Sequence, residues 1–208
     1  MSEQTEQATT RNRRDEYAEM TRRGVVAAAR KLFADHGYER TTVAMIACEA
    51  RVSPATVYAQ CGGKEGLLGT LMDMWTTSPT VGRIIGDAER GRTGRDKLRI
   101  LAEGYVAHAA EAGDIMRIVE RAAASSPQAQ EFMRIADGRH TEALEIITQG
   151  IADIGELADG LSVTDAARII FFHFRNPQLV LASETFGWGI DRAQRWLLER
   201  VESAVLEP

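Results

Sequence analysis

The stretch SPATVYAQCGGK, residues 53–64, combines hydroxyl and amide side chains with residues small enough to allow a close approach. The amide of Gln60 could pair with N6 and N7 of adenine, and the hydroxyls could bind base edges or phosphates. No acidic side chain lies in this stretch, and Lys64 could neutralise a phosphate. These residue types are typical of a surface that contacts double-stranded DNA.

The neighbouring elements would position this stretch. A first helix is predicted from about Tyr17 to His36, with an apolar face at three- and four-residue steps. Thr42 and Ser53 are suited to cap two short helices that follow, and Pro54 suits a first helical position. A junction of about three residues joins these two short helices. The sequence therefore predicts a helix-turn-helix, with the helix from Pro54 to about Gln60 facing base edges.

The segment GVVAAARKLFADHGYERTTVAMIACEARVSPATVYAQCGGKEGLL resembles the N-terminal DNA-binding domain of the TetR family of bacterial transcriptional regulators. The likeness runs from about Met20 to Leu71. A second segment, AARIIFF followed by FGWGIDRAQRWLLERV, loosely resembles the last two helices of many members, which pair as a dimer. The resemblance implies a homodimer on a double-stranded DNA operator. It also implies a small-molecule effector whose binding weakens the hold on DNA.

Carried over by motif position, the resemblance implies phosphate contacts from Thr42, Tyr58 and Lys64. The whole predicted DNA-binding surface comprises Thr41, Thr42, Arg51, Ser53, Pro54, Ala55, Thr56, Tyr58, Ala59, Gln60 and Lys64.

Three residues depart from the family pattern. Arg51 stands where a turn glycine is usual, which could alter the turn or add a phosphate contact. Gln60 replaces a residue that is more often His or Tyr, and Cys61 replaces a Phe between the third and fourth helices. These departures bear on the choice of operator and not on the fold.

Composition predicts an all-α fold, because the chain of 208 residues has only five prolines and few runs of β-branched residues. The net charge of −5 is unevenly distributed. Residues 1–65 carry 10 Lys and Arg against 9 Asp and Glu, while the rest carry 15 against 21. The acidic total is therefore compatible with DNA binding by the N-terminal part.

About nine helices in three segments are predicted. Residues 1–16 would be a flexible basic tail, either simply solvated or acting as an arm on DNA through Arg11, Arg13 and Arg14. Residues 17–77 would form the DNA-binding domain and residues 78–208 an effector-binding and dimerisation domain. Helical patterns in that last part lie near 96–112, 114–125, 127–154, 163–186 and 189–206, after a looser stretch that follows Gly82.

The run IIFFHF, Ile169 to Phe174, is apolar all round, so its helix should be covered on more than one side. It could be core and subunit interface, or it could line a cavity for a hydrophobic or aromatic effector. The candidate effector-binding residues are Tyr105, His108, Met116, Phe132, Met133, Phe171, His173 and Phe174.

The apolar pattern of the last helix predicts a subunit interface. Its apolar residues recur at three- and four-residue steps and would form a seam with the preceding helix of each subunit. They are Ile190, Ala193, Leu197, Val201, Ala204 and Val205.

Other functions have little support in the sequence. The GGK at 62–64 lacks the upstream glycine and the Ser or Thr of a phosphate-binding loop. The three histidines at 108, 140 and 173 share no metal spacing and are expected in the core or a pocket wall. No catalytic arrangement, metal or cofactor is predicted. With no apolar leader and no 18-residue apolar run, we expect a cytoplasmic protein without a membrane segment. The alternative is a helical adaptor that does not bind DNA sequence-specifically.

Overall fold

The computed structural model describes the backbone of residues 2–207 and the side chains of residues 15–207. Its helices are α1 Ser2–His36, α2 Val43–Glu49, α3 Pro54–Cys61, α4 Gly63–Thr76, α5 Pro79–Glu89, α6 Gly94–Ala123, α7 Pro127–Asp153, α8 Val163–Phe174, α9 Asn176–Val180 and α10 Ile190–Val205. A π-helical segment, Leu181–Thr185, continues α9. Among the described residues, strand-like pairing is limited to one isolated bridge between Leu157 and Leu206, so the predicted all-α fold is confirmed.

The helix count agrees with the prediction when α8, α9 and the π segment are taken as one interrupted helix. The extended backbone of Arg175 makes the interruption, and Pro177 lies in the first turn of α9, where its missing N–H costs no helical hydrogen bond. The predicted break at Gly113 is instead a kink at Ala112, whose φ of −146° lies inside α6.

Two helix starts differ from the prediction. Helix α5 occupies the stretch expected to loosen after Gly82, because Ser78 caps it and Pro79 takes its first position. Helix α1 begins at Ser2 and not near Tyr17. The side chains of the predicted basic tail, including Arg11, Arg13 and Arg14, lie outside the described residues.

The chain divides into two compact units. The first comprises Met1–Met74 together with Arg117–Phe132, and the second comprises Trp75–Met116 and Met133–Pro208. The sequence did not predict that Arg117–Phe132 would cluster with the N-terminal helices. Within the first unit, the Ser125 hydroxyl donates to the Glu39 carboxylate at 2.9 Å.

The junction between α3 and α4 requires glycine at three positions. Gly62 and Gly63 have φ values of 68° and 75°, which are left-handed conformations that favour glycine. A Cβ on Gly66 would overlap the backbone carbonyl of Cys61. The first turn of α4 therefore passes directly against the end of α3.

The second unit buries the apolar stripe of α10 within its own chain. Ala193, Leu197, Val201 and Val205 are all buried in a cluster with residues of α6, α7 and α8. The prediction that this stripe forms the subunit seam is therefore wrong for these residues. The stripe completes the core of the unit, and the partly exposed residues of α8–α10 lie on other faces.

We predict that Gly66→Ala destabilises the protein by about 3 kcal/mol, because the added methyl forces α3 and α4 apart. Gly24→Ala is the matched control: a methyl group added to this exposed α1 glycine would meet nothing within 4 Å beyond the backbone of its own helix. It should raise stability by about 0.5–1 kcal/mol through helix propensity. Urea unfolding followed by circular dichroism measures both, and equal effects of the two would contradict the close approach.

Candidate nucleic-acid interface and ligand cavity

Helix α3 is held in place by its two ends and by two buried residues, Val57 and Cys61. The Ser53 Oγ accepts a hydrogen bond from the Thr56 N–H at 3.1 Å, which caps the helix. Gly62 ends it, donating its N–H to the Tyr58 carbonyl. Val57 is fully buried and anchors the inner face.

The outer face of α3 is exposed. Ala55, Ala59 and Gln60 are exposed, and Tyr58 keeps 61% of its surface accessible. Thr56 is half-buried, and its hydroxyl lies 2.9 Å from the Ser53 Oγ. The structure thus brings most of the predicted surface onto one small face free of acidic residues.

Thr41 and Thr42 have different surroundings despite being neighbours. Thr41 is 1% exposed and donates its hydroxyl hydrogen bond inward, toward the Leu32 and Gly37 carbonyls at 3.1 and 2.8 Å. Its assignment to the DNA-binding surface is therefore wrong, because its side chain ties the end of α1 to the following loop. Thr42 is exposed and caps α2, accepting from the Met45 N–H at 3.2 Å.

Arg51 keeps the glycine-like turn between α2 and α3. Its φ is 57°, a left-handed value that is rare for a residue with a side chain. The turn is fixed by hydrogen bonds from the Arg51 N–H to the Cys48 carbonyl and from the Val52 N–H to the Ala47 carbonyl. Arg51 is exposed and lies three residues before the start of α3. An arginine in place of the usual glycine therefore preserves the turn and adds a cation next to this helix.

Lys64 has an intramolecular role. Its ammonium donates to the Tyr38 carbonyl at 2.8 Å and to the Glu39 carbonyl at 3.4 Å, and it lies 4.2 Å from the centre of the Tyr38 ring. A lysine has three N–H donors, so one remains for a phosphate. The residue joins the start of α4 to the loop after α1.

A cavity of about 140 Å³ lies within the second unit. Four of the eight predicted effector-binding residues line it: Tyr105, His108, Met116 and Phe174. Its wall also includes Trp75, Asp137, His140, Arg175 and Asn176, together with aliphatic side chains of α5, α6 and α9.

The other four candidates do not line this cavity. Phe132 belongs to the first unit, where its ring lies close to Gly69. Met133 is half-buried outside the lining. The Phe171 ring packs on His140 but is not part of the cavity wall. The Nδ1 of His173 is hydrogen-bonded to the Ile169 carbonyl of its own helix. Helical spacing alone could not distinguish these faces of α7 and α8.

Most polar groups of the cavity wall are paired with each other. The Tyr105 hydroxyl is hydrogen-bonded to His140 Nε2. Burial is the main cause that lowers the pKa of His140 to about 4, with smaller contributions from Arg175 and His108. Burial also raises the pKa of Tyr105, so both partners are neutral at physiological pH. Asp137 pairs with Arg175 at 3.6 Å.

Two side chains of the lining are exceptions: Asn176, whose buried Nδ2 has no hydrogen-bond partner, and His108. Its ring is stacked on Trp75, with centroids 4.0 Å apart, and only 5% of the residue is exposed. Neither ring nitrogen has a partner at normal hydrogen-bond geometry, although the Trp75 backbone acts on the pKa as a weak hydrogen-bond partner. Burial lowers the pKa of this imidazole, against smaller opposing effects from Glu111 and the Trp75 backbone. The ring is thus neutral, offering one donor and one acceptor.

Sequence reasoning placed His140 in the core or a pocket wall but missed Trp75, Asp137 and Arg175. Asp137 and His140 are one helical turn apart on α7, a spacing that puts both on one face. This spacing in the sequence could have grouped Asp137 with His140. Arg175 has no such signal, because it depends on the break between α8 and α9.

The described part of the chain contains no cluster of three or more His, Cys, Asp or Glu side chains able to hold a metal ion. Within the same residues, every helix is too short or too polar to cross a membrane.

Comparison with known proteins agrees with the geometry of the first unit. Residues 25–71 match the family model for bacterial regulatory proteins, tetR family. The HTH-type transcriptional regulator HbdR of Aromatoleum sp. (strain CIB) is 42% identical over 50 residues. That match covers 24% of this chain and 22% of HbdR, so the chain is aligned to about a fifth of that relative.

Solved structures share the fold over most of the chain. The complex of SmeT with triclosan has a TM-score of 0.73 at 20% identity, covering 90% of this chain and 92% of that one. SmeT is the repressor of the Stenotrophomonas maltophilia multidrug efflux pump SmeDEF. FadR from Bacillus subtilis in complex with stearoyl-CoA has a TM-score of 0.73 at 20% identity, covering 87% and 97%. Residues 25–71 of this chain therefore form a helix-turn-helix domain of the tetR family of bacterial regulatory proteins.

Proposed function

We propose that the protein is a ligand-responsive transcriptional repressor that binds a palindromic operator as a homodimer and is released by a small hydrophobic or aromatic molecule. It would act in the cytoplasm, where the operator lies. The observation that carries the DNA-binding step is the exposed, acid-free outer face of α3. An adaptor that does not bind DNA would not need this face to exclude acidic side chains.

The cavity of the second unit supports the ligand-responsive part. Its wall is mostly apolar with a few fixed polar groups, which is the usual character of a small-molecule site. SmeT and FadR, which share the fold, have been solved with triclosan and stearoyl-CoA. Both observations favour a largely apolar effector for this chain.

Exposed apolar residues on the last helices support the homodimer. Phe172 on α8 is 60% exposed and Trp196 on α10 is 41% exposed. Leu181, Phe186 and Ile190, between them in the chain, are also exposed large apolar residues. Two copies packed about a two-fold axis could cover these side chains, and the same symmetry would suit a palindromic operator with half-sites about 34–36 Å apart.

A mobility-shift assay with the DNA upstream of the protein's own gene tests the proposal. Specific binding should survive an excess of unrelated DNA and should weaken when the effector is present. Equal binding to all DNA at moderate salt would refute the role as a sequence-specific regulator.

We predict that Gln60→Ala weakens binding to the preferred operator by about 1–3 kcal/mol and relaxes the preference at one base position of each half-site. Loss of a bidentate contact with adenine is the reason. Gln149→Ala, the same change on an exposed position of α7, should have no effect. If Gln60→Ala weakened binding to all sequences equally, the amide would be a backbone contact.

We predict that Arg51→Gly lowers the log–log salt dependence of DNA binding by about one unit through the loss of one phosphate contact. Stability should stay within about 1 kcal/mol, because glycine relieves the left-handed conformation while gaining freedom in the unfolded chain. Arg92→Gly, in the loop between α5 and α6, makes the same charge change and should leave the slope unaltered. An unchanged slope in Arg51→Gly would remove this arginine from the interface.

We predict that Phe172→Glu converts the dimer to monomers and abolishes operator binding, because it puts a charge on the exposed apolar surface of α8. Ile146→Glu on α7 is the matched control, since Ile146 is 53% exposed. It should stay dimeric. Sedimentation equilibrium decides, and a dimeric Phe172→Glu that still bound the operator would place the interface elsewhere.

A further inference from the structure

The walls of the cavity limit the charge that an occupant can carry. Asp137 and Arg175 form an ion pair there, so neither charge is left for a ligand of opposite sign. Arg175 also lies 5.0 Å from the centre of the Phe171 ring. The two lining histidines are neutral, and Arg139 is exposed to solvent, which screens its charge. A buried carboxylate, phosphate or ammonium would therefore lose its hydration without gaining a partner of opposite charge.

His108 specifies the polar group that the cavity can accept. Neither nitrogen of this buried ring has a protein partner at normal hydrogen-bond geometry, and a weak bond to the Trp75 backbone would occupy one nitrogen at most, although buried polar groups are nearly always hydrogen-bonded. Its unprotonated nitrogen needs a donor that carries no charge. The other unpartnered buried atom of the lining, Asn176 Nδ2, is a donor, so the unpaired acceptor of this largely apolar wall is His108.

The same wall already contains a neutral hydrogen bond of the required kind. Tyr105 and His140 form a phenol–imidazole pair in which both partners are uncharged. A phenol is a strong neutral donor, and an imidazole nitrogen is a strong neutral acceptor. A second phenol, supplied by a ligand, would give His108 the partner that His140 has in Tyr105.

The volume sets the size of the occupant. One water needs about 10–15 Å³ on this scale, so the cavity of about 140 Å³ holds roughly ten groups of that size. Trp75, Tyr105 and Phe174 offer aromatic surfaces to such a molecule. This is the size of a substituted single ring or a fused pair of rings.

We propose that the effector is an uncharged phenol of one or two rings, whose hydroxyl donates to the unprotonated ring nitrogen of His108 and whose rings lie against the aromatic and aliphatic wall. This inference rests on the proposed function in so far as the cavity is the effector site.

Isothermal titration calorimetry of the full chain at neutral pH with three probes of one ring skeleton tests the proposal. β-Naphthol should bind, its methyl ether should bind about tenfold more weakly because it cannot donate, and β-naphthoate should not bind measurably. His108→Phe should reduce the affinity for naphthol to that for the ether. His108→Gln, which retains an acceptor, should restore part of the difference. His173→Phe, a change of the same type outside the cavity, should leave the series as in the wild type.

The wild-type series alone can overturn the proposal, so it does not depend on how well a variant folds. Equal affinities for naphthol and its ether, tighter binding of naphthoate, or no binding of naphthol would each refute it. A naphthol preference that persists in a folded His108→Phe would refute the role of His108. The mobility-shift assay is scored separately. Operator binding without the naphthol preference would refute the ligand class alone, whereas the naphthol preference without operator binding would refute the regulator alone.

Discussion

Helix α3 has eight residues, too few for a helix to be stable by itself in water, so its packing determines whether the DNA-facing surface exists. Val57 provides one buried anchor, and the Ser53 cap satisfies an N–H at the start. At the other end, the missing Cβ of Gly66 lets α4 press against the carbonyl of Cys61. Because the inner face and both ends are fixed, the outer face is free to hold small polar residues that add nothing to stability.

The first unit could be predicted from the sequence because its signals are local. Caps and a first-position proline act within a few residues of the helix ends that they define, and α2 and α3 begin directly after the predicted caps Thr42 and Ser53. Thr41 is a residue whose position these local signals do not determine. It and Thr42 look equivalent in the sequence, but only the path of the chain after Gly37 turns one hydroxyl inward and leaves the other outside.

The second unit could be predicted only as a set of helices. A stripe such as Leu197, Val201 and Val205 indicates that one face of α10 is covered, but not whether its own chain or a partner covers it. The same ambiguity affects α8, where Phe174 lines the cavity while Phe171, three residues away, packs outside the lining. Which faces meet depends on the kink at Ala112 and the break at Arg175, and neither follows from periodicity.

His108 is one place where the structure departs from the rules that govern a core. A buried polar group without a partner costs about 1–3 kcal/mol, and a leucine or methionine at this position would avoid that cost. Burial keeps the imidazole neutral, so the larger penalty of a buried charge does not arise. Unpartnered buried polar groups of this kind are expected at functional sites, where a ligand can supply the missing partner. A ligand that donates a hydrogen bond to His108 removes the cost of the unpartnered nitrogen, and this contributes to the binding free energy. The contribution requires a hydrogen-bond donor and does not require a charge.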